Sequence, residues 1–360
     1  MTRILTVSLV TLGDPGRLTG GYRYHRRMAE LAPTCGAVMH FVSFPERPFP
    51  LSTLAGPAVL RRSLADVLVL DSIAAAFLGP WLPRRLRMPL VGSLHQPPGG
   101  IDHGPLRRGA QAPLDRLAYR RARLLLVASQ ALGDELAAQG HPRERIRVVP
   151  PGHDLPAAPA GPPVDLRRGR RAGLLCVANW VQRKGILELL EAVARLPDGL
   201  ATLHVAGDDR ADPRYGERIR ARLSRPDLAG RVVVHGPLSA ERVAALYLGA
   251  DVFVLPSLRE PYGTVWGEAM AAGLPVVGWR AGNLPHLATD GREGLLADPG
   301  DVAGLSRALA RLAGDEDLRR RMAAAAGRRA ADRPTWAQSA ALFFAALREA
   351  AAPRHDTGPA

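Results

Sequence analysis

Apolar residues dominate short stretches along this chain, at 4–10, 37–42, 67–70, 90–94, 124–128 and 146–149 in the first half. The second half repeats the pattern at 174–178, 202–206, 232–234, 252–255 and 275–277. Most of them lack the polar alternation of a strand with one wet face. Separated by segments of helical periodicity, such runs predict parallel strands covered by helices on both faces. Residues 150–163 hold six prolines and two glycines and can sustain neither a helix nor a central strand. The chain of 360 residues is therefore expected to form two doubly wound, Rossmann-like α/β domains, at 1–152 and 171–332, with a linker at 153–170. They are expected to face each other across a cleft. Beyond Pro299 the pattern is helical to about Ala351; the last helix, about 335–351, is expected to pack back on the first domain, ahead of a disordered tail at 352–360.

Charge narrows the classes of partner. The net charge is +14, and of 48 basic residues only Lys184 is a lysine. The arginines are spread over both halves, with no zinc-finger, RNA-recognition or helix-turn-helix pattern and no basic run interleaved with aromatics. Nucleic acid is thus not expected as a partner, whereas nucleotide diphosphates and anionic membrane surfaces suit the charge. No stretch reaches transmembrane length. Residues 4–10 lack a cleavage site and read as a first strand instead of a signal segment. Cys35 and Cys176 match no metal spacing and read as two buried thiols in a reducing cytosol. The expected location is cytoplasmic, with peripheral contact at the inner membrane face left open, and the oligomeric state is not fixed. The acids Asp315, Glu316 and Asp317 stand where a helix opens and read as capping groups, not metal ligands.

The most informative segment is 257–278. Glu260 and Glu268 flank a Pro261-Tyr262-Gly263 turn that opens a helix at Thr264. A helix start carries unpaired amides and the positive end of the backbone dipole, so it holds anions. Carboxylates beside it accept hydrogen bonds from hydroxyls. A ligand with both phosphates and neutral hydroxyls fits, and a nucleotide sugar is one. Lys184 follows the run 174–178 and opens the next helix. There a compact ammonium beside the planar fork of Arg183 can follow a migrating phosphate. In the first half, glycines from Gly13 to Gly21 follow the first run and let backbone approach phosphate, without forming a dinucleotide fingerprint. His95 ends the run 90–94, where it can hydrogen-bond a sugar hydroxyl or be satisfied by neighbouring backbone. Gly207 and Asp208, and His235, Gly236, Pro237 and Leu238, follow strands and are candidates for pairing with a base edge; ordinary turns explain them equally.

The segment resembles the signature of retaining glycosyltransferases of family 4, which have the GT-B fold: Glu, seven residues, Glu, then Ala-Met-Ala-x-Gly-x-Pro-Val. The resemblance extends to the run from Val149 to Asp154 and to the Arg183-Lys184-Gly185 turn, and is weakest in the first domain. It implies that Glu260 accepts hydrogen bonds from the donor sugar and Glu268 from the ribose. It also implies that the amides around Pro261, Tyr262, Gly263 and Thr264 face sugar and phosphates, with Gly20 and Gly21 against the diphosphate. Related enzymes pair the lysine with an arginine five residues earlier; here that position is Asn179, so the second charge falls to Arg183 or the diphosphate is held more weakly.

The implied reaction is transfer of a sugar from a nucleotide diphosphate donor to a hydroxyl acceptor with retention, without metal or cofactor. Lys184 and Arg183 would stabilise the leaving group, and His95 would lie near the reacting sugar. A sugar-nucleotide epimerase or hydrolase, or a non-catalytic sugar-nucleotide-binding protein, would use the same residues. The loop expected at 97–113, with Gly99, Gly100, His103, Arg107 and Arg108, is placed near the acceptor. Together with Arg84, Arg85 and Arg87 it serves either a membrane-bound, lipid-linked acceptor or a small molecule.

Overall fold

The computed structural model describes residues 3–16, 20–84, 86–153 and 164–353. Arg85, most of the expected linker and the tail from 354 onward lie outside them. The chain divides into two compact units, one of residues 1–152 with 334–360 and one of residues 153–333.

The first unit holds a six-stranded parallel sheet: β1 (Leu5–Leu12), β2 (Ala37–Phe44), β3 (Val67–Asp71), β4 (Leu90–Leu94), β5 (Leu124–Val127) and β6 (Ile146–Val148). Their order is β2-β1-β3-β4-β5-β6, so the winding reverses between β1 and β3. Central strands are apolar on both faces because helices cover both: Val67, Leu68, Val69 and Leu70 are all fully buried. Each such side chain stabilises the unit by roughly 1.5–3 kcal/mol. The helix Trp336–Ala351 belongs to this unit and packs Phe343, Phe344 and Leu347 against Val7, Leu9, Tyr24 and Met28. Its start carries a capping box between Thr335 and Gln338.

The second unit holds β7 (Ala172–Val177), β8 (Ala201–Ala206), β9 (Val232–Gly236), β10 (Val252–Val254), β11 (Val276–Trp279) and β12 (Gly294–Ala297). Their order is β12-β11-β10-β7-β8-β9, again all parallel, with the reversal between β7 and β10. As expected, Asp315 caps a helix, accepting from the Leu318 amide at 2.8 Å.

Four expectations need correction. The apolar pattern missed β12, whose run Leu295–Ala297 is only three residues long behind Gly294. That glycine is required, because a Cβ would lie 1.8 Å from the Val276 carbonyl. The linker is shorter than expected, since Leu166 is fully buried in the core of the second unit. The expected loop at 97–113 ends at Gly104, and a helix runs over Pro105–Arg121 with Pro113 inside it. Cys35 is only half-buried, whereas Cys176 is buried and its thiol is pushed up to about 12 by burial.

Candidate active site

In an open parallel sheet the loops diverge where the winding reverses, leaving a crevice at the carboxyl ends of the two strands. In the second unit those strands are β7 and β10. The loop after β7 turns through Gln182–Lys184 and reaches Gly185 in a left-handed conformation, φ +70°. A side chain at Gly185 would place Cβ 2.2 Å from the Pro256 carbonyl oxygen, so only glycine lets the two loops touch. The Arg183 carbonyl then accepts from the Leu258 amide at 2.8 Å and from Ser257 Oγ at 3.1 Å.

This lacing brings three of the expected residues together. Glu260 Oε2 accepts from Lys184 Nζ and, at 3.2 Å, from Arg183 Nη1, and all three side chains are largely buried. Two cations on one carboxylate leave a net positive charge in a partly desolvated place. The Glu260 main chain is itself fixed, since Asn283 N donates to its carbonyl at 3.0 Å and a Cβ on Gly282 would meet its backbone at 2.9 Å. Asn283 Nδ2 also donates to the Tyr262 carbonyl at 2.8 Å.

Directly after Glu260, Gly263 caps the helix Thr264–Ala271 with φ +81°, and a Cβ there would strike the Trp266 ring at 2.2 Å. Pro261, Tyr262, Gly263 and Thr264 thus form the tight turn expected of them. The Tyr262 hydroxyl is bonded to Arg333, whose guanidinium also sits over its ring at 5.3 Å. Glu268 stands one turn into the helix, with the Tyr247 hydroxyl donating to Oε2 at 3.3 Å. Burial, with Glu268 beside it, pushes the Tyr247 phenol well above its ordinary value.

At the ends of β7, β8 and β9 a second group assembles. Asn179 Oδ1 accepts from the Asp208 amide at 3.1 Å, and the Gly207 amide donates to the Gly236 carbonyl at 2.9 Å. Asn179 thereby ties the two loops together. Gly236 is left-handed, φ +67°. Leu238 turns its side chain onto the apolar core, leaving backbone as the polar part of the Gly236-Pro237-Leu238 turn.

In the first unit the reversal lies between β1 and β3, and β4 follows. Gly20 and Gly21 open the helix Gly20–Leu31. A Cβ on Gly21 would lie 3.6 Å from His95 Cδ2, so these two expected residues are neighbours. His95 is not satisfied by backbone alone: its Nε2 is 3.1 Å from His25 Nε2, with Tyr24 edge-on at 4.7 Å. Burial, then His25, lower its pKa to about 3, so the ring is neutral. Sequence reading missed His25 and Asp71. The available signals were a charged residue closing the apolar run 67–70 and a histidine four positions after Gly21, on the same helix face.

Among the described residues no group of three His, Cys, Asp or Glu side chains is placed to hold a metal ion, and no helix is long and apolar enough to cross a membrane.

Two doubly wound parallel sheets, with a cation pair, two glutamates and a glycine-capped helix at the switch point of the second, define the GT-B class. Residues 171–315 match the family described as Glycosyl transferases group 1, and residues 3–152 match the Glycosyl transferase 4-like domain. The D-inositol 3-phosphate glycosyltransferase of Xylanimonas cellulosilytica is 30% identical over 285 residues, covering 73% of this chain and 67% of that protein. The 2-deoxystreptamine glucosyltransferase of Streptomyces kanamyceticus is 30% identical over 278 residues, covering 71% of this chain and 70% of that one. Among solved structures, HepE of Anabaena in complex with UDP matches the fold with a TM-score of 0.77 at 20% identity, covering 96% of this chain and 100% of that one. The chain belongs to the group 1 glycosyltransferases of GT-B fold.

Proposed function

We propose that this glycosyltransferase moves a sugar from a nucleoside diphosphate donor to a hydroxyl of a small polyhydroxylated acceptor, with retention and without a metal or resident cofactor. The observation that carries this reading is the convergence of Lys184 and Arg183 on Glu260 beside the Gly263-capped helix start. Negative charge grows on the diphosphate as the glycosidic bond breaks, and fixed cations with unpaired amides stabilise it more than they stabilise the ground state. Glu260 holds both cations in place and, with its remaining oxygen, accepts from a sugar hydroxyl. Glu268 accepts from the ribose, the turn at Gly236, Pro237 and Leu238 serves the base, and Asn179 lies on the diphosphate side of the site. In the first unit, Gly20 and Gly21 serve the diphosphate and His95 a hydroxyl of the reacting sugar.

Retention follows in this reading from attack on the same face, the departing phosphate taking the acceptor proton. The small acceptor is supported by the relatives whose names specify inositol 3-phosphate and 2-deoxystreptamine, both polyhydroxylated rings.

Thermal unfolding in the presence of UDP-, GDP-, ADP- and dTDP-glucose tests donor binding, because a ligand that binds only the folded protein raises its midpoint by mass action. One nucleotide is expected to stand out. The selected donor is then incubated with inositol 3-phosphate and 2-deoxystreptamine, with and without EDTA, and the anomeric configuration is read by NMR. An inverted product, or turnover abolished by EDTA and restored by a divalent ion, overturns the mechanism. Donor consumption that never yields a glycoside overturns the transfer.

A further inference from the structure

The first unit contains a buried polar chain that the proposed reaction has not yet used. Asp71 closes β3 and is 2% exposed, and His25, from the helix Gly20–Leu31, is fully buried. Asp71 Oδ2 accepts from Thr11 Oγ1 at 2.8 Å and faces His25 Nδ1 at 3.4 Å. The other oxygen, Oδ1, is met by Ser72 Oγ and the Ile73 amide, each at 3.3 Å. On its far side, His25 Nε2 is 3.1 Å from Ser93 Oγ and 3.1 Å from His95 Nε2. A carboxylate, two imidazoles and three hydroxyls are thus strung from the β1–β3 switch point to the end of β4.

Proton counting along this chain has one consistent outcome when each ring carries a single proton. A carboxylate only accepts, so the His25 nitrogen facing it must carry hydrogen. Where His25 carries this one proton, its Nε2 is a lone pair, reached by the Ser93 hydroxyl and by His95 Nε2. Two lone pairs cannot face each other at 3.1 Å, so His95 must carry its proton on Nε2. Its Nδ1 is left as an acceptor, and no described residue engages that atom. The carboxylate holds its charge in this buried place: burial alone would raise the Asp71 pKa, but His25 and the Thr11 hydroxyl bring it below the ordinary value.

We propose that Asp71 and His25 are positioning residues that fix the tautomer of His95, so that His95 Nδ1 accepts a hydrogen bond from a hydroxyl of the bound sugar or acceptor. The second half of this statement rests on the role proposed for His95 in transfer, whereas the tautomer does not. The arrangement explains why a charged residue and a histidine occupy the core of the unit, where burying either without the other would be destabilising.

The test is nitrogen NMR of the full-length protein labelled with 15N-histidine, at pH 8, with the two residues assigned by the signals lost in H25Q and H95Q. The expected result is a protonated Nδ1 on His25, with a protonated Nε2 and a bare Nδ1 on His95. In D71N the new amide can donate to His25 Nδ1, so both rings should flip and His95 should carry its proton on Nδ1. A wild-type His95 protonated on Nδ1 overturns the proposal without any variant, as does an unchanged His95 in a folded D71N. Full transfer activity in H95A would instead remove the catalytic reading of His95 and leave these resonances as found.

Discussion

Lys184 and Glu260, 76 positions apart in the chain, meet side chain to side chain with only 13% and 14% of their side-chain surfaces exposed. Charges that far from water are costly unless paired, and the pair is held by backbone contacts between their two loops, not by the side chains alone. Arg183 on the same carboxylate leaves one positive charge in excess. The cluster is therefore held in place by the protein's own contacts.

Removing that ammonium separates chemistry from folding. In K184A, Glu260 keeps Arg183 as a partner, so stability should fall by only about 1–2 kcal/mol. Turnover should fall on the order of 100- to 1,000-fold, the size of effect seen when one fixed electrostatic group is removed. Both are read from one preparation, by denaturant unfolding and by kcat with the selected donor. A kcat within twofold of the parent would rule out the leaving-group role.

Asn179 offers the opposite experiment, a gain of charge. Its side chain is exposed and its one assigned task is to accept the Asp208 amide, a bond contributing roughly 0.5–1.5 kcal/mol. N179R should lower stability by about that amount and tighten binding of inorganic pyrophosphate severalfold. The gain should shrink as salt rises toward 1 M, because it is Coulombic. Calorimetric titration of pyrophosphate at two salt concentrations checks both statements, and unchanged affinity would show that position 179 lies away from the diphosphate.

The strands were legible because burial on both faces writes a mostly apolar run: residues 90–94 coincide with β4, and most other runs differ from their strands by one or two positions at an end. The strand β12 was not legible, because its apolar run is only three residues long and Gly294 marks a close backbone approach that sequence cannot distinguish from a turn. The segment holding Glu260 and Glu268 was readable because its chemistry is local in the chain. Its supports were not: Asn283 and Arg333 reach Tyr262 from 21 and 71 residues away. The same applies to Asp71 and His25, which only the sheet order brings beside His95. The role of Asn179 depends on Asp208 at the end of the neighbouring strand, a pairing no spacing rule contains.

Gly185 allows steric contact to be separated from backbone preference. Both Gly185 and Gly199 are left-handed, at φ +70° and +77°, but a Cβ on Gly199 would meet nothing within 4 Å. G199A should therefore cost only the conformational penalty, on the order of 1 kcal/mol. G185A adds the clash with the Pro256 carbonyl and must push the two loops apart. It should cost at least about 2 kcal/mol more and should reduce donor binding, which G199A should leave unchanged. Urea midpoints and donor titration of the two variants make the comparison, and equal losses would mean the loops can separate without consequence.

Asp115 gives a pH dependence of known sign. It is 1% exposed, and burial raises its pKa to about 6 even though the Gly99 amide donates to Oδ2 at 2.8 Å and Gln111 Nε2 does so at 3.4 Å. Its ordinary value is 3.8, so between about pH 4 and pH 6 the folded protein holds a proton that the unfolded chain has released. The protonated side chain is the stable one in the fold, and stability from this group is lost as pH rises through that window. The full penalty is on the order of 3 kcal/mol. D115N keeps a carbonyl for the Gly99 amide but cannot ionise. Relative to the parent, it should gain up to that amount between pH 4 and pH 7 and then change no further. Other carboxylates titrate in both proteins and cancel in the difference. Parallel urea titrations across this range check it; a difference independent of pH would show that Asp115 titrates alike in fold and unfolded chain, and one growing in the opposite direction that the fold favours its ionised form.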